Sequence, residues 1–309
     1  MKARNILLII FIVFLVMFLL LGWGIKALFK GAAQGEITEG ANVALISING
    51  PIVVGDHESA FSSDYITSTE IIKFIEDAEK NDNIKAVIFE INSPGGSAVA
   101  SDEIGQAIKD LKETTNKTTV SWIREIGASG AYWVASNTDY IVANRMSMTG
   151  SIGVIASYLE FSGLLDKYNI TYERLVAGKY KDMGSPFKEL SEGEKNVFIE
   201  ELNQIHEYFI EEVANNRKLT KEQVKEFADG RVFLGEKAKT LGLIDEIGGK
   251  KEALTYIETK LNITPEIVEY KEPVSFLQLL TKLMSEQGFS IGKGLGTALT
   301  ETKEKGIVT

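Results

Sequence analysis

Apolar and polar positions form alternating blocks over residues 43–143, and these blocks predict strands and helices in turn. Apolar runs rich in β-branched residues predict strands at Val43–Ser47, Ile84–Ile91 and Thr119–Ile123. Between them, amphipathic spacing predicts helices at Thr67–Lys80 and Ser97–Leu111. Strands that alternate with helices indicate a layered α/β domain with a parallel sheet.

The pattern is less regular after residue 140. It predicts short strands at Tyr140–Ala143 and Thr171–Val176, with a Gly-rich turn and strand at Met148–Ile155 between them. Ser191-Glu-Gly-Glu has the sequence of a capping box, so we predict a long helix from there to about Arg217. The other predicted segments are a helix at Phe161–Tyr168, a helix at Thr220–Ala228, and two further elements at Gly235–Leu241 and Lys250–Leu261.

A long uncharged stretch, Asn5–Ile25, precedes this domain. As a helix it would span about 31 Å, close to the thickness of a bilayer's hydrocarbon core. A cleaved signal peptide is the alternative, but the apolar core of a signal peptide is about 7–15 residues long. We therefore predict a retained single-pass anchor in the cell membrane. The flanking basic residues lean only slightly towards a cytoplasmic N-terminus with the folded domain outside the cytoplasm.

Composition and charge exclude several classes of function. The 309 residues include no Cys, so disulfides, thiolate metal sites and cysteine catalysis are excluded. The net charge of −10 and the lack of a basic stripe argue against nucleic acid as a partner. A Ser-His-Asp triad would need His57 or His206, and neither has a site-like sequence context, so we expect both at exposed or helix-surface positions. No motif calls for ATP, a metal or another cofactor.

Two Gly-rich stretches carry the candidate chemistry. Ser129 lies among Gly and Ala residues between a predicted strand and a predicted helix, so we expect a turn that exposes its hydroxyl. The alternative is that these small residues only let a helix pack closely on the sheet. Asn92-Ser93-Pro94-Gly95-Gly96 follows another strand and exposes amide N–H groups, as an oxyanion hole requires, although a plain tight turn would also fit. Together the two stretches favour catalysis.

Five motifs follow one another along the chain: NSPGG at 92–96, GASGAYW at 127–133, TGSIGV at 149–154, KDMGSP at 181–186 and DGRVFLGEKAKTLGLIDEIGG at 229–249. In this order they resemble the signal peptide peptidase A family of membrane-anchored serine proteases. That family shares its fold with crotonases and with the proteolytic subunit of the Clp protease. The resemblance implies an α/β, Clp protease/crotonase-like layered fold with repeated β-β-α units, preceded by one transmembrane helix. We accordingly divide the chain into an anchor at 1–30, a linker at 31–41, a catalytic domain at 42–262 and a partly flexible C-terminal tail at 263–309.

The resemblance also implies a role for each site residue. Ser129 would be the nucleophile, Lys181 the general base and Ser151 the residue that orients the base. The amides of Gly96 and Gly130 would bind the oxyanion. The residues themselves agree with this, because Gly130 directly follows the serine and a Ser-Lys pair is the natural choice where no His is suitably placed.

A lysine base has to lose its charge before it can accept a proton. From a reference pKa near 10.4, only about one amine in 2,500 is neutral at pH 7. Burial that lowers the pKa by about 3 units would make roughly a quarter neutral, at a cost of about 4 kcal/mol. Asp182 would oppose this shift, but in an extended segment it faces away from Lys181. Lys179 would share the face of Lys181, and only the motif match favours Lys181.

We predict a membrane-bound serine endopeptidase that uses a Ser-Lys dyad. The resemblance implies that it degrades remnant signal peptides and other extended, apolar, membrane-derived peptides. It also implies a homo-oligomer in the form of a ring or dome. The alternatives are a crotonase-fold membrane scaffold, an acyl-thioester enzyme without protease activity, and a protease that clips stomatin-like membrane proteins.

Overall fold

The computed structural model describes residues 40–55 and 65–271. The described strands are β1 (Val43–Asn49), β2 (Ile52–Val53), β3 (Ile66–Thr67), β4 (Ala86–Ser93), β5 (Thr118–Ala128), β6 (Tyr140–Ala143), β7 (Met148–Gly150), β8 (Val232–Leu234), β9 (Glu246–Ile247) and β10 (Ile267–Tyr270). The described helices are α1 (Ser68–Lys80), α2 (Ala98–Thr114), α3 (Gly130–Ser136), α4 (Ser162–Lys167), α5 (Glu192–Arg217), α6 (Lys221–Lys225), α7 (Gly235–Thr240) and α8 (Lys250–Leu261).

The main sheet is largely parallel. Its strand order is β10-β1-β4-β5-β6-β9, and every neighbouring pair on this path is parallel. β7 pairs with the end of β5 in parallel, and β8 pairs with β7 in the antiparallel direction. β2 and β3 form a separate two-stranded sheet. The molecule therefore has a mixed α/β fold with a parallel-rich sheet, as predicted.

Helices cover both faces of the main sheet. Alternate residues of β1 face opposite sides, as the pleat of a strand requires. Ala44 and Ile46 pack in the larger apolar cluster, which includes residues of α1, α2, α3 and α5. Val43 and Leu45 pack in a smaller cluster with residues of α8. The continuous apolar strands of the sequence are thus explained by burial on both faces.

β5 extends further than its sequence pattern predicts. We expected Thr119–Ile123, but the strand continues to Ala128 because its second half pairs with β7. The register joins Ile126 to Met148 and Ala128 to Gly150. This added length carries the chain directly to Ser129 at the edge where the parallel strands end.

The capped helices agree with the sequence. The side chain of Thr67 accepts a hydrogen bond from the backbone N–H of Glu70 at the start of α1. Ser191 and Glu194 form the predicted capping box of α5. Because a cap satisfies backbone donors that the helix itself leaves free, these positions fix where the helices begin.

One predicted strand is wrong. Residues 171–176 form no strand in the structure and are exposed along their whole length. Their β-branched and aromatic residues suit a pleated surface, but the segment is exposed and no strand of the described residues lies beside it to complete a ladder. Residues 151–161 likewise have no regular structure, so the predicted strand around Met148–Ile155 ends at Gly150.

The main sheet extends past the C-terminal boundary of the predicted catalytic domain. β10 pairs with β1 in the main sheet, so the sheet reaches beyond the predicted domain end at residue 262. The segment consists mostly of β-branched and aromatic residues, and its parallel pairing with β1 places it at the edge of the main sheet. None of the helices in the described ranges has the length and apolarity to cross a bilayer. The predicted anchor at Asn5–Ile25 lies outside the described residues, as does most of the predicted tail.

Candidate active site

The two Gly-rich stretches lie side by side at the C-terminal edge of the sheet. β4 and β5 are parallel neighbours, and their register places Ser93 opposite Gly127. The chain leaves β4 through Pro94-Gly95-Gly96 into α2, and it leaves β5 through Ser129 into α3. Ligand and active sites of parallel sheets occur at this edge. The two stretches are therefore adjacent in the structure.

Ser129 has a strained backbone. Its φ is 54° and its ψ is −127°, a combination that a non-Gly residue rarely adopts. The backbone N–H of Ser129 donates to Gly150 O at 2.9 Å, which joins the turn to the end of β7. Strain of this kind persists only where surrounding contacts hold it, and it is concentrated at functional sites. The predicted strand-to-helix turn at this serine is confirmed.

Hydrogen bonds made by Gly95 and Ser97 hold the Gly95-Gly96 loop on both sides of the Gly96 amide. Gly95 N–H donates to Ser93 Oγ at 3.1 Å, and Gly95 O accepts from Ile52 N–H at 2.9 Å. Ser97 N–H donates to Ile52 O at 2.8 Å. The Gly96 N–H between them has no acceptor among the described residues. A Cβ on Gly96 would lie 2.0 Å from Ile52 O, so only glycine fits here.

The loop and the serine turn are in direct contact. A Cβ on Gly95 would lie 2.6 Å from the amide nitrogen of Gly130 and 2.9 Å from Ser129 Cβ. A Cβ on Gly130 would lie 3.3 Å from the amide nitrogen of Gly96. Within the part of the chain that the structure describes, the Gly130 N–H also has no acceptor. Two free donors thus converge beside one serine hydroxyl, as stabilisation of an oxyanion requires.

Ser129 opens into a cavity of about 810 Å³. Gly96, Gly130 and Ser151 also line it, so the structure brings together four of the five predicted site residues. Much of the remaining wall is apolar and suits an apolar peptide side chain. The apolar lining includes Trp133, Val154, Ile155, Leu202, Ile205 and Phe209. No group of three acidic or imidazole side chains in the described ranges could hold a metal ion.

Ser151 is attached to the loop before β8. Its φ is 51°, and its N–H donates to Arg231 O at 2.9 Å. Its Oγ donates to Gly230 O at 3.2 Å. The hydroxyl therefore has a defined direction, and its oxygen still has lone pairs that could accept a hydrogen bond from a lysine ammonium group.

Lys181 is the predicted site residue that the structure does not bring to the cavity. It does not line the cavity, and its side chain is exposed. Lys179, the other candidate base, has its Nζ 4.8 Å from the centre of the Tyr180 ring. A side-chain hydrogen bond with Tyr180 is the main cause that raises the pKa of Lys179, which is the opposite of what a base at neutral pH needs.

The carboxylate of Asp182 is paired with two other cationic side chains, Arg174 and Lys188. Its carboxylate accepts from Arg174, with Nη2 to Oδ1 at 2.7 Å, and lies 3.9 Å from Lys188 Nζ. The hydrogen bond from Arg174 is the main cause that lowers the pKa of Asp182. Because its charge is already paired, Asp182 opposes the neutralisation of Lys181 less than sequence adjacency suggests.

His206 is a lining residue that the sequence reasoning missed. Its ring lines the cavity from α5, and its Nε2 is buried with no hydrogen-bond partner among the described residues. We expected only a surface position on a helix. The helical periodicity predicts the cavity-facing position. Leu202, Ile205 and Phe209 form an apolar stripe at i, i+3 and i+7, and His206 at i+4 lies on the same face. His57 lies outside the described residues.

Comparisons with known proteins agree with the geometry. Residues 112–264 match the model of peptidase family S49. A chain of Methanocaldococcus jannaschii named as a protease is 33% identical over 96% of this chain and 95% of its own length. A chain of Enterococcus faecium named as signal peptide peptidase SppA is 32% identical over 80% of this chain and 74% of its own length. This chain belongs to the SppA family, peptidase family S49.

Members of the SppA family are serine proteases, and so is this chain. The non-proteolytic alternatives, a scaffold or an acyl-thioester enzyme, are therefore set aside. Among solved structures, a mutant of ClpP1 from Listeria monocytogenes is similar with a TM-score of 0.43 and 15% identity, over 68% of this chain and 93% of that one.

Proposed function

We propose that this SppA-family protein is a membrane-bound endopeptidase with a Ser-Lys dyad. Ser129 Oγ attacks the carbonyl carbon of a peptide bond and gives its proton to Lys181 Nζ. The negative oxygen of the tetrahedral intermediate accepts hydrogen bonds from the amides of Gly96 and Gly130. The protonated lysine then returns the proton to the leaving amine, and water releases the acyl group from the serine.

One observation supports this proposal above the others. A serine with a strained backbone lies beside two amide donors that have no acceptor in the described chain, at the mouth of a largely apolar cavity. A tight turn that served only for packing would need neither free donors nor an open cavity. The combination suits acyl transfer from an extended apolar peptide.

A lysine that acts as a base needs a site from which water is excluded. Among the described residues, Lys181 is exposed. We propose that copies of the chain assemble and cover the segment 155–187, which removes water from Lys181. The exposed apolar side chains of this segment support assembly, since monomeric proteins seldom expose so many together. They include Ile155, Leu159, Leu164, Tyr168, Ile170 and Leu175.

The proposed substrates are remnant signal peptides and other apolar peptides near the membrane. The apolar lining of the cavity and the uncharged stretch at Asn5–Ile25 support this part of the proposal. With the N-terminus in the cytoplasm, the catalytic domain would act outside it. An anchor of this kind would keep the cavity near peptides that partition into lipid.

A panel of single variants tests the dyad. The full chain in detergent is assayed on a fluorogenic apolar peptide, and Ser129→Ala and Lys181→Ala are each expected to lower kcat by at least about 10³-fold. Lys179→Ala is the matched control and is expected to keep most of the activity. Equal losses in Lys179→Ala and Lys181→Ala would contradict the choice of base. Full activity in Ser129→Ala would contradict the nucleophile.

A further inference from the structure

Ser101 is a buried hydroxyl beside the candidate active site that the proposed chemistry does not use. It lies on the first turn of α2, has no exposed surface, and borders the same cavity as Ser129. Its Oγ donates a hydrogen bond to Ser97 O at 2.9 Å, and its backbone N–H donates to the same carbonyl at 3.0 Å. Because the hydroxyl hydrogen is directed at Ser97, the position of the oxygen is defined.

That oxygen lies directly against Gly130. A Cβ on Gly130 would lie 2.2 Å from Ser101 Oγ and 3.2 Å from Ser101 Cβ. One turn further along α2, a Cβ on Gly105 would lie 3.2 Å from Trp133 Nε1. Two successive turns of α2 are therefore in close contact with α3, and Ser101 is the contact nearest to the serine turn.

The same hydroxyl is joined to the other amide donor. Ser97, which accepts its hydrogen bond, directly follows Gly96 in the chain. The contacts therefore run from Gly96 through Ser97 and Ser101 to Gly130. This short path of contacts links the two amides that line the cavity, and the oxygen of Ser101 lies at its centre.

We propose that Ser101 is a positioning residue that sets the distance between the amides of Gly96 and Gly130. The inference rests on the proposed function, because it needs these amides to bind the oxyanion. Donors stabilise an oxyanion only within about 2.7–3.1 Å of it, and a displacement of about 1 Å can cost about 100-fold in rate. Since the oxyanion forms only after attack, the effect falls on kcat rather than on KM.

The test compares two substitutions of nearly the same shape. In a helix, Thr can direct its hydroxyl at the carbonyl four residues earlier as Ser101 does, whereas Val cannot. With the full chain and a fluorogenic apolar peptide, we expect Ser101→Val to have a kcat at least about tenfold below that of Ser101→Thr, with similar KM values. A peptide aldehyde, which mimics the tetrahedral state, should lose affinity for Ser101→Val by a similar factor, and a product peptide should not.

Further variants keep the outcome decisive. If Thr or Val at position 101 prevents folding, Ser101→Ala replaces the comparison, because it adds no atoms. It should also lower kcat at unchanged KM. Ser121→Ala removes a buried hydroxyl with no hydrogen-bond partner in the described chain, away from the cavity, and should leave kcat unchanged. Equal kcat values for Ser101→Thr and Ser101→Val, or wild-type kcat in Ser101→Ala, would overturn the inference. Activity that survives Ser129→Ala would instead overturn the proposed function.

Discussion

At the residue scale, the site depends on positions where a single added carbon would not fit. Ser129 takes a backbone conformation that few non-Gly residues adopt, and Gly95 has a φ of 94°. Both are held by hydrogen bonds to neighbouring strands and loops. The strain and the close contacts are concentrated at the point where the proposed nucleophile and the two free amides meet, which is typical of a preorganised active site.

Gly130→Ala tests this arrangement. The new methyl would lie 2.2 Å from Ser101 Oγ and 3.3 Å from the amide nitrogen of Gly96, so it would displace one donor and obstruct the other. We expect kcat on an apolar peptide to fall by about 100-fold or more. Gly249→Ala is the matched control, because it lies outside the cavity and no atom would be closer than 3.9 Å to a Cβ there. Wild-type kcat in Gly130→Ala would contradict the assignment of the oxyanion site.

At the element scale, ion pairs attach the segment that contains Lys181 to the start of α5. Arg174 bonds to Asp182, Asp182 lies near Lys188, and Lys188 bonds to Glu194. Glu194 also closes the capping box of α5. The helix N-terminus and the segment around Lys181 therefore share one set of charges.

Glu194→Gln tests this link through its pH dependence. The hydrogen bonds from Lys188 and Ser191 lower the pKa of Glu194 to about 2, from an ordinary value of 4.5. Its contribution to stability is therefore present above about pH 4.5 and is lost as the pH falls towards 2. We expect the protection factors of the amides at the start of α5, which compare measured with intrinsic exchange at each pH, to fall over this range more in the wild type than in Glu194→Gln. The same acid response in both proteins would contradict the link.

Arg217 joins the end of α5 to the sheet. Its side chain is 7% exposed, and it binds both carboxylate oxygens of Asp245 at 2.7 and 3.0 Å. Arg217→Ala leaves this carboxylate without its cation, so we expect a loss of about 3–5 kcal/mol in urea unfolding. Arg124 pairs with Glu90 but is 54% exposed, so Arg124→Ala should cost less than about 1 kcal/mol. Similar losses in both variants would contradict this ranking.

At the scale of the whole molecule, the segment 155–187 exposes apolar side chains that the rest of the described chain does not cover. Leu175 is 94% exposed and Ile155 is 90% exposed, although residues of this type are usually buried. The proposed assembly explains this surface and would also supply the desolvation that Lys181 requires.

Leu175→Asp tests the assembly. A charge at this position would oppose burial against a second copy, so we expect a smaller mass by light scattering and a large loss of peptidase activity. Glu173→Gln changes a neighbouring exposed residue without removing apolar surface, and it should keep both the mass and the activity. An unchanged mass in Leu175→Asp, with native circular dichroism, would contradict this use of the surface.

The sequence predicts most of the fold and part of the site. The strands and capped helices up to Ser129 follow from local periodicity and turn residues, and so does the meeting of the two Gly-rich stretches at one sheet edge. The composition of β10 favours a strand, but its place beside β1 in the main sheet depends on a pairing between distant parts of the chain, which local sequence does not show. The same limit applies to Lys181, since its environment depends on which groups cover an exposed segment.

The central claim is that Ser129 is the nucleophile of this protease. The most direct measurement is the mass spectrum of peptides from the full chain after reaction with a fluorophosphonate, which modifies an activated serine hydroxyl. We predict a single modified peptide with the label on Ser129, and no label in Ser129→Ala. A label on another serine, or labelling that persists in Ser129→Ala, would contradict the account.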